Sequence, residues 1–234
     1  MKSKILVLAI VLSAFSINIK AQLPNPFTMV GFGDTGAKSL NIGFSPIGAM
    51  KVKLTEKKKG DEDFEGGNFK YHYKEEFSFS IGYERNSGLS DDDGDKVTTL
   101  IELLYSKGKF DKYDLKGEYH GFNPIQEDNI YNIGLTYYLG KTLNQGKRFQ
   151  VPLLFGPSLD YVNSGAIHNL TIGVALKARL KFYITDGFGI FAGAGLHHGL
   201  YGRKKNHNNG YEDYSYRISP TLYNIDAGIA IRLK

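Results

Sequence analysis

The side chains best suited to metal chemistry are two adjacent histidines, His197 and His198, and an acidic run, Asp91–Asp95. Successive residues of a β-strand face opposite sides, so two adjacent imidazoles cannot ligate one metal ion there. The acidic run offers the oxygen ligands of a calcium loop but lacks the bidentate glutamate that completes an EF-hand. We therefore expect a solvated acidic turn, with neither a metal site nor a cofactor.

Two further stretches are candidates for phosphate binding or nucleophilic catalysis. The sequence GDTGAKS, which begins at Gly33, has the composition of a phosphate loop without its GxxxxGK[ST] spacing. Ser164 and His168 are close in sequence, and His198 would face outward, but no acidic partner is apparent for a triad, which is defined by its geometry. We predict that the chain is not an enzyme and has no catalytic residues.

Three basic residues, Lys177, Arg179 and Lys181, occupy alternate positions of an otherwise apolar segment. In a β-strand this spacing places the charges on one face and the apolar side chains on the other, whereas a helix would scatter them. The Asp-Gly dipeptide after this segment is a strong signal for a tight hairpin. The next segment keeps the apolar face and carries glycines opposite it. We therefore expect serine at Gly193 to be tolerated better than arginine at Val174 or Ile190 on the apolar face, if the interior has room.

The same alternation recurs along the chain and predicts eight strands, at 40–45, 77–84, 97–106, 131–139, 150–161, 170–184, 188–201 and 223–233. A soluble β-sandwich would pack one face into a dense apolar core, but here the second face carries glycines and charges of both signs. In a membrane barrel the apolar face meets lipid, closure removes the sheet edges and the charges pair inside. We predict an all-β fold, a closed antiparallel transmembrane β-barrel; the ambiguous segment 109–120 leaves ten strands as the alternative.

The inward charges are expected to pair with one another, because an unpaired buried charge would cost several kcal/mol. The interior of an eight-stranded barrel is just wide enough for side chains to fill it. Tyrosines near strand ends, Tyr183 among them, are predicted to form girdles at the membrane interfaces. The predicted lumen charge network consists of Glu84, Glu102, Asp160, Lys177, Arg179, Lys181, Asp226 and Arg232.

The first 21 residues have the layout of a secretory signal peptide, because Lys2 and Lys4 precede an apolar run and the stretch closes near Ala21. The remaining residues, 22–234, are expected to form one barrel domain. The chain has no cysteine, and its net charge of +5 is modest and dispersed. Together with the export signal, this distribution argues against a nucleic-acid partner.

The signal peptide, the hairpin YITDGFGIFAGAG and the final strand YNIDAGIAIRLK resemble the small outer-membrane β-barrel family of Gram-negative bacteria. That family includes the barrel of outer-membrane protein A and the X-type adhesion-associated barrels. The resemblance implies cleavage of the signal peptide and insertion into the outer membrane by the barrel-assembly machinery. It also implies contact with outer-membrane lipid and lipopolysaccharide. One departure is the C-terminus, which ends on Lys234 instead of an aromatic residue.

We expect a structural or surface-interaction role, with function carried by the long outer connections near 55–74, 107–128 and 202–214. The alternatives are a small porin-like channel or transport-associated barrel, which ten strands would favour, and, more remotely, a lipid A-modifying enzyme. Basic side chains on the outer connections are candidates for contact with lipopolysaccharide phosphates. These residues are Lys57, Lys58, Lys59, Arg203, Lys204 and Lys205.

Overall fold

The structure is a computed structural model that describes residues 37–58, 68–87, 97–116, 129–144, 148–164, 167–205 and 214–233. The predicted signal peptide and the acidic run Asp91–Asp95 lie outside these residues, as does the start of the GDTGAKS stretch. Within the described ranges, no helix is long and apolar enough to cross a membrane.

In the described part of the chain, nine β-strands form one antiparallel sheet, in the order β1-β2-β3-β4-β5-β6-β7-β9-β8. The first strand also pairs with the last one, so eight long strands close into a barrel, and the short β8 lies beside β9 at one rim. The predicted closed antiparallel barrel is confirmed. The strands are β1 Ala37–Lys58, β2 Asn68–Ser87, β3 Val97–Lys116, β4 Asn129–Leu143, β5 Phe149–Ser164, β6 Ile167–Tyr183, β7 Phe188–Tyr201, β8 Arg203–Lys205 and β9 Tyr214–Leu233.

Both ends of the described chain lie at one rim, since Lys38 at the start of β1 pairs with Leu233 at the end of β9. We call this the inner rim, because outer-membrane barrels have short turns on the periplasmic side and longer loops outside. The four-residue stretch 184–187 between β6 and β7 lies at this inner rim. The opposite rim, where β1 ends and β9 begins, is the outer rim.

The lipid-facing and lumen-facing side chains alternate as the sequence predicts. On β5, for example, Phe155 and Leu159 are both 41% exposed, while Ser158 and Asp160 are each 3% exposed. The period of two follows from the strand geometry, in which neighbouring side chains point to opposite faces. One predicted girdle residue is misplaced: Tyr183 is 3% exposed and faces the lumen, because it shares the face of the β6 charges.

Four strands rise well above the others at the outer rim. Strand β3 pairs with β4 only as far as Lys109, but it pairs with β2 as far as Lys116. The ambiguous segment 109–120 is therefore, in its described part, a continuation of β3 and not an additional strand. Strands β1, β2 and β9 extend in the same way, so part of the predicted outer loops is regular sheet.

The lumen is filled in layers along the barrel. Charged residues of β6 and their partners occupy its middle, and a small apolar group of Tyr183, Phe191 and Ala230 lies toward the inner rim. The outer end contains the largest apolar cluster. That cluster consists of Met50, Val52, Leu54, Phe69, Tyr71, Tyr73, Leu104, Ile130, Val162, Ile218 and Leu222.

Candidate functional site

The three basic side chains of β6 point into the lumen and are almost completely buried. Lys177 is 3% exposed, Arg179 1% and Lys181 0%. Charges removed from water to this degree stabilise a structure only when they meet partners with good geometry. The contacts of these three residues therefore decide whether the lumen is closed.

Arg179 connects two carboxylates that come from different walls of the barrel. Its Nη2 lies 2.6 Å from Oε2 of Glu102 on β3 and 2.8 Å from Oδ2 of Asp226 on β9. Lys177 also donates to Glu102, and its Nζ is 3.5 Å from Oδ2 of Asp226. Two cations and two carboxylates thus form one charge-balanced cluster that crosses the lumen.

Lys181 forms a second cluster closer to the inner rim. Its Nζ donates to Oε2 of Glu84 at 2.5 Å and to Oδ1 of Asn41 at 2.9 Å. The Asn41 amide in turn donates to the same Glu84 oxygen at 3.2 Å. Asn41 is absent from the set predicted from sequence; its inward-facing position in β1 was the signal that could have added it.

Glycines on β7 make room for these contacts. Gly193 lies between Arg179 and Asp226 in the register of three consecutive strands. A Cβ atom at Gly193 would lie 2.6 Å from Arg179 Cγ and 2.6 Å from the carbonyl oxygen of Ala178. The room on which the expected tolerance of serine depends is therefore absent at this position, because both a side chain and the backbone already occupy the space.

Asp160 belongs to a separate polar group and does not join the lysine and arginine clusters. It accepts hydrogen bonds from Ser158 Oγ at 2.8 Å and from Asn132 Nδ2 at 3.4 Å. His197 Nδ1 is 3.6 Å from Asp160 Oδ1, and His197 Nε2 lies 3.1 Å from the hydroxyl of Tyr138. The sequence placed His197 on the inward face but gave no reason to select Tyr138 or Asn132.

Arg232 also lies apart from the network to which it was assigned from sequence. Its guanidinium stacks on the ring of Tyr183, with 3.8 Å between Cζ and the ring centroid. It donates to the carbonyl oxygen of Asp186 at 3.3 Å, in the turn at the inner rim. The residue is close to the end of β9, so its side chain reaches the rim instead of the central carboxylates.

The serine and histidine residues considered for catalysis are not brought together. Ser164 is buried and its Oγ lies 3.1 Å from the hydroxyl of Tyr73, whereas His168 is exposed. His198 faces outward, and its Nδ1 lies 2.8 Å from Thr221 Oγ1. Within the described ranges, no group of three or more His, Cys, Asp or Glu side chains could hold a metal ion.

The outward face of the extended strands carries an exposed lysine-rich surface, which we call the basic wall. Strand pairing puts Lys53 directly opposite Lys70 and Lys74 directly opposite Lys109. Like charges in such positions destabilise a sheet. The basic wall consists of Lys51, Lys53, Lys70, Lys74, Lys109 and Lys112.

Two aspartates neutralise part of this positive charge. Asp111 Oδ1 lies 2.9 Å from Lys74 Nζ, and this hydrogen bond lowers the pKa of Asp111. Asp114 Oδ2 lies 3.0 Å from His72 Nε2. The described residues of the basic wall therefore keep an excess of positive charge.

Of the six basic residues predicted for lipopolysaccharide contact, only the backbone of five is described. Lys59 lies outside the described residues. The backbone of the others belongs to β1 or β8, and their side chains are not described. These residues are Lys57, Lys58, Arg203, Lys204 and Lys205.

Comparison with known proteins identifies the fold. No family model and no curated protein matches the chain. Among solved structures, the outer membrane protein OprG from Pseudomonas aeruginosa superposes with a TM-score of 0.52 at 12% identity, over 85% of this chain and 96% of that one. The outer membrane protease OmpT from Escherichia coli gives a TM-score of 0.49 at 10% identity, over 86% and 99%.

The chain thus has the fold of the small outer-membrane β-barrels of Gram-negative bacteria, as the sequence predicted. The fold agrees with the prediction of an outer-membrane barrel protein. The prediction that the chain is not an enzyme is corrected and withdrawn, because a protease is among the barrels similar to it. At 10% identity, that likeness assigns no activity to this chain.

Proposed function

We propose that this outer-membrane barrel has a closed lumen and acts at its outer surface, where the basic wall contacts the phosphate groups of lipopolysaccharide. The observation that supports this role most strongly is the pairing of Lys53 with Lys70 and of Lys74 with Lys109. Like charges placed opposite each other have an energetic cost, which a bound anion would remove.

The closed lumen is supported by the charge clusters and by the apolar cluster above them. Glu84, Glu102 and Asp226 are each at most 2% exposed, and each contacts a cation of β6. These contacts cross the barrel, so the side chains that would line a pore bind one another. An open aqueous path would require these pairs to separate and the apolar cluster to move.

The position of the basic wall suits a lipid headgroup better than a soluble anion. Glu76 and Lys107 form an outward ion pair, with 2.7 Å between Oε2 and Nζ, and their hydrogen bond raises the pKa of Lys107. This pair lies between the apolar belt and the lysines. Lysines next to an anionic membrane surface contribute about 1 kcal/mol each.

Lipopolysaccharide binding by the purified protein in detergent tests this proposal. The double variant Lys53→Gln/Lys70→Gln removes two charges from the basic wall, and it should weaken binding by about 2 kcal/mol, or about 30-fold. The matched control, Lys38→Gln/Lys141→Gln, removes the same charge at the inner rim. Equal affinities for the two double variants would refute the proposed site.

A further inference from the structure

A small cavity lies in the lumen beside Asp160 and His197, away from the lysine and arginine clusters. Its volume is about 10 Å³, which is close to the space that one water molecule needs. The lining combines polar side chains with apolar ones. It consists of Met50, Asn132, Asp160, His197, Gly199, Pro220 and Leu222.

The hydrogen-bonding state of His197 follows from its two neighbours. A carboxylate only accepts hydrogen bonds, so the tautomer that matches Asp160 is the one with its proton on Nδ1. In that tautomer Nε2 accepts from the Tyr138 hydroxyl, which lies 3.1 Å away. His197 therefore directs an N–H group toward Asp160 and the cavity.

Two buried polar atoms at this place have no hydrogen-bond partner among the described residues. They are Nδ1 of His197 and Oδ1 of Asn132, and both side chains belong to residues that are 3% exposed. The distance of 3.6 Å from Nδ1 to Asp160 Oδ1 exceeds the range of a hydrogen bond. Because buried polar groups are nearly always paired, these two atoms point to a molecule that bridges them.

We infer that this cavity is a binding site for one water molecule. The water accepts a hydrogen bond from His197 Nδ1–H and donates to Asp160 Oδ1 and Asn132 Oδ1. Three hydrogen bonds are typical of a buried water. The site thus takes a small neutral ligand that both accepts and donates, and its volume leaves no room for a larger one.

The site also explains how Asp160 is tolerated in the lumen. Glu84, Glu102 and Asp226 each contact a lysine or arginine, whereas the described contacts of Asp160 are to neutral donors and to His197. Hydrogen bonds to a charged group are stronger than those between neutral groups. The water therefore supplies part of the solvation that a cation supplies to the other acids.

Nuclear magnetic resonance of the folded, ¹⁵N-histidine-labelled protein in micelles tests this inference. We expect a slowly exchanging Nδ1–H signal of His197 that shows cross-relaxation with a long-lived water molecule. His198→Gln serves as the control for assignment, because His198 lies on the outer face. A His197 Nδ1–H signal without a water cross-peak would mean a direct bond to Asp160 and would overturn the site.

A substitution provides a second test. Asn132→Leu removes the amide acceptor and introduces methyl groups beside the cavity, so the water cross-peak should disappear while the His197 signal remains. Persistence of the cross-peak at full intensity would contradict the role assigned to Asn132. The wild-type experiment requires no variant, so the inference stays falsifiable if Asn132→Leu does not fold.

Discussion

Arg179 donates a hydrogen bond to Asp226 from two strands away, with 2.8 Å between Nη2 and Oδ2, directly over the backbone of Gly193. The contact is possible because the intervening strand has no side chain at this position. The alternation of charges on β6 and glycines on β7 is therefore one feature of the lumen and not two. The glycines leave the space through which the charges reach their partners.

A side chain at Gly193 should destabilise the barrel. In Gly193→Ala the new Cβ would lie 2.6 Å from the Ala178 carbonyl oxygen, and overpacking of this kind costs about 1–3 kcal/mol. The control is Gly187→Ala, since a Cβ there meets nothing within 4 Å. Thermal unfolding followed by circular dichroism should show a lower midpoint for the first variant than for the second. Identical midpoints would show that the lumen has spare volume.

Loss of the Arg179 guanidinium should be costly, because it leaves Glu102 and Asp226 with fewer partners. Removal of one partner from a buried pair costs about 3–5 kcal/mol. The double variant Arg179→Ala/Asp226→Ala should recover part of that loss in a double-mutant cycle. Lys74→Ala is the surface control, since an exposed ion pair contributes at most about 1 kcal/mol. Equal losses for Arg179→Ala and Lys74→Ala would contradict a buried network.

An arginine substitution on the lipid-facing side should destabilise the barrel more, the closer it lies to the centre of the bilayer. Val174→Arg places a charge on the apolar belt at the middle of β6 and should cost about 2–4 kcal/mol. Leu143→Arg, at the inner rim, should cost about 0–1 kcal/mol. Both side chains are exposed, at 38% and 45%, so burial within the protein does not distinguish them. The free energy of unfolding in lipid bilayers can be measured for both variants. Equal losses would argue against the position assigned to the apolar, lipid-facing belt.

Removal of an acidic residue from the basic wall should strengthen lipopolysaccharide binding. Asp111→Asn frees Lys74 from its ion pair and raises the local positive charge by one. One added positive charge near an anionic surface contributes about 1 kcal/mol of binding free energy, so the affinity should rise about 5-fold at low salt. The measurement is binding at two ionic strengths, because the gain should shrink as salt screens it. An unchanged affinity at low salt would count against electrostatic contact.

The lipid and lumen faces of all eight long strands could be predicted from sequence because the side-chain period is two. The side-chain directions in the extensions of β1, β2 and β3 could not be predicted in this way. Above the apolar belt, the apolar side chains face the lumen and the charged ones face outward. In β2, Phe79 faces outward while Tyr71 and Tyr73 face the lumen, although all three are odd-numbered. A bulge between Glu75 and Phe77 changes the parity of the strand.

The pairing of charges was only partly accessible from sequence. The alternation placed the β6 cations inside, but which acid each one meets depends on strand tilt and stagger in the closed barrel. Arg232 shows the difficulty. It is an even number of residues from Asp226 on β9, so the alternation assigns both to the same face, but it lies close to the end of the strand, at the rim, where it stacks on Tyr183. Asn41 carries no charge, so its inward-facing position in β1 was its only signal, and nothing in the sequence selected Tyr138.

The most direct test of the closed lumen is single-channel recording of the purified protein in a planar bilayer at neutral pH. The ion pairs of Arg179 and Lys181 and the apolar cluster above them predict no steady unitary conductance. Arg179→Ala serves as the companion variant, since loosening of the network is the route by which conductance would arise. A stable, reproducible conductance of the unmodified protein would show an open aqueous path and contradict the closed barrel.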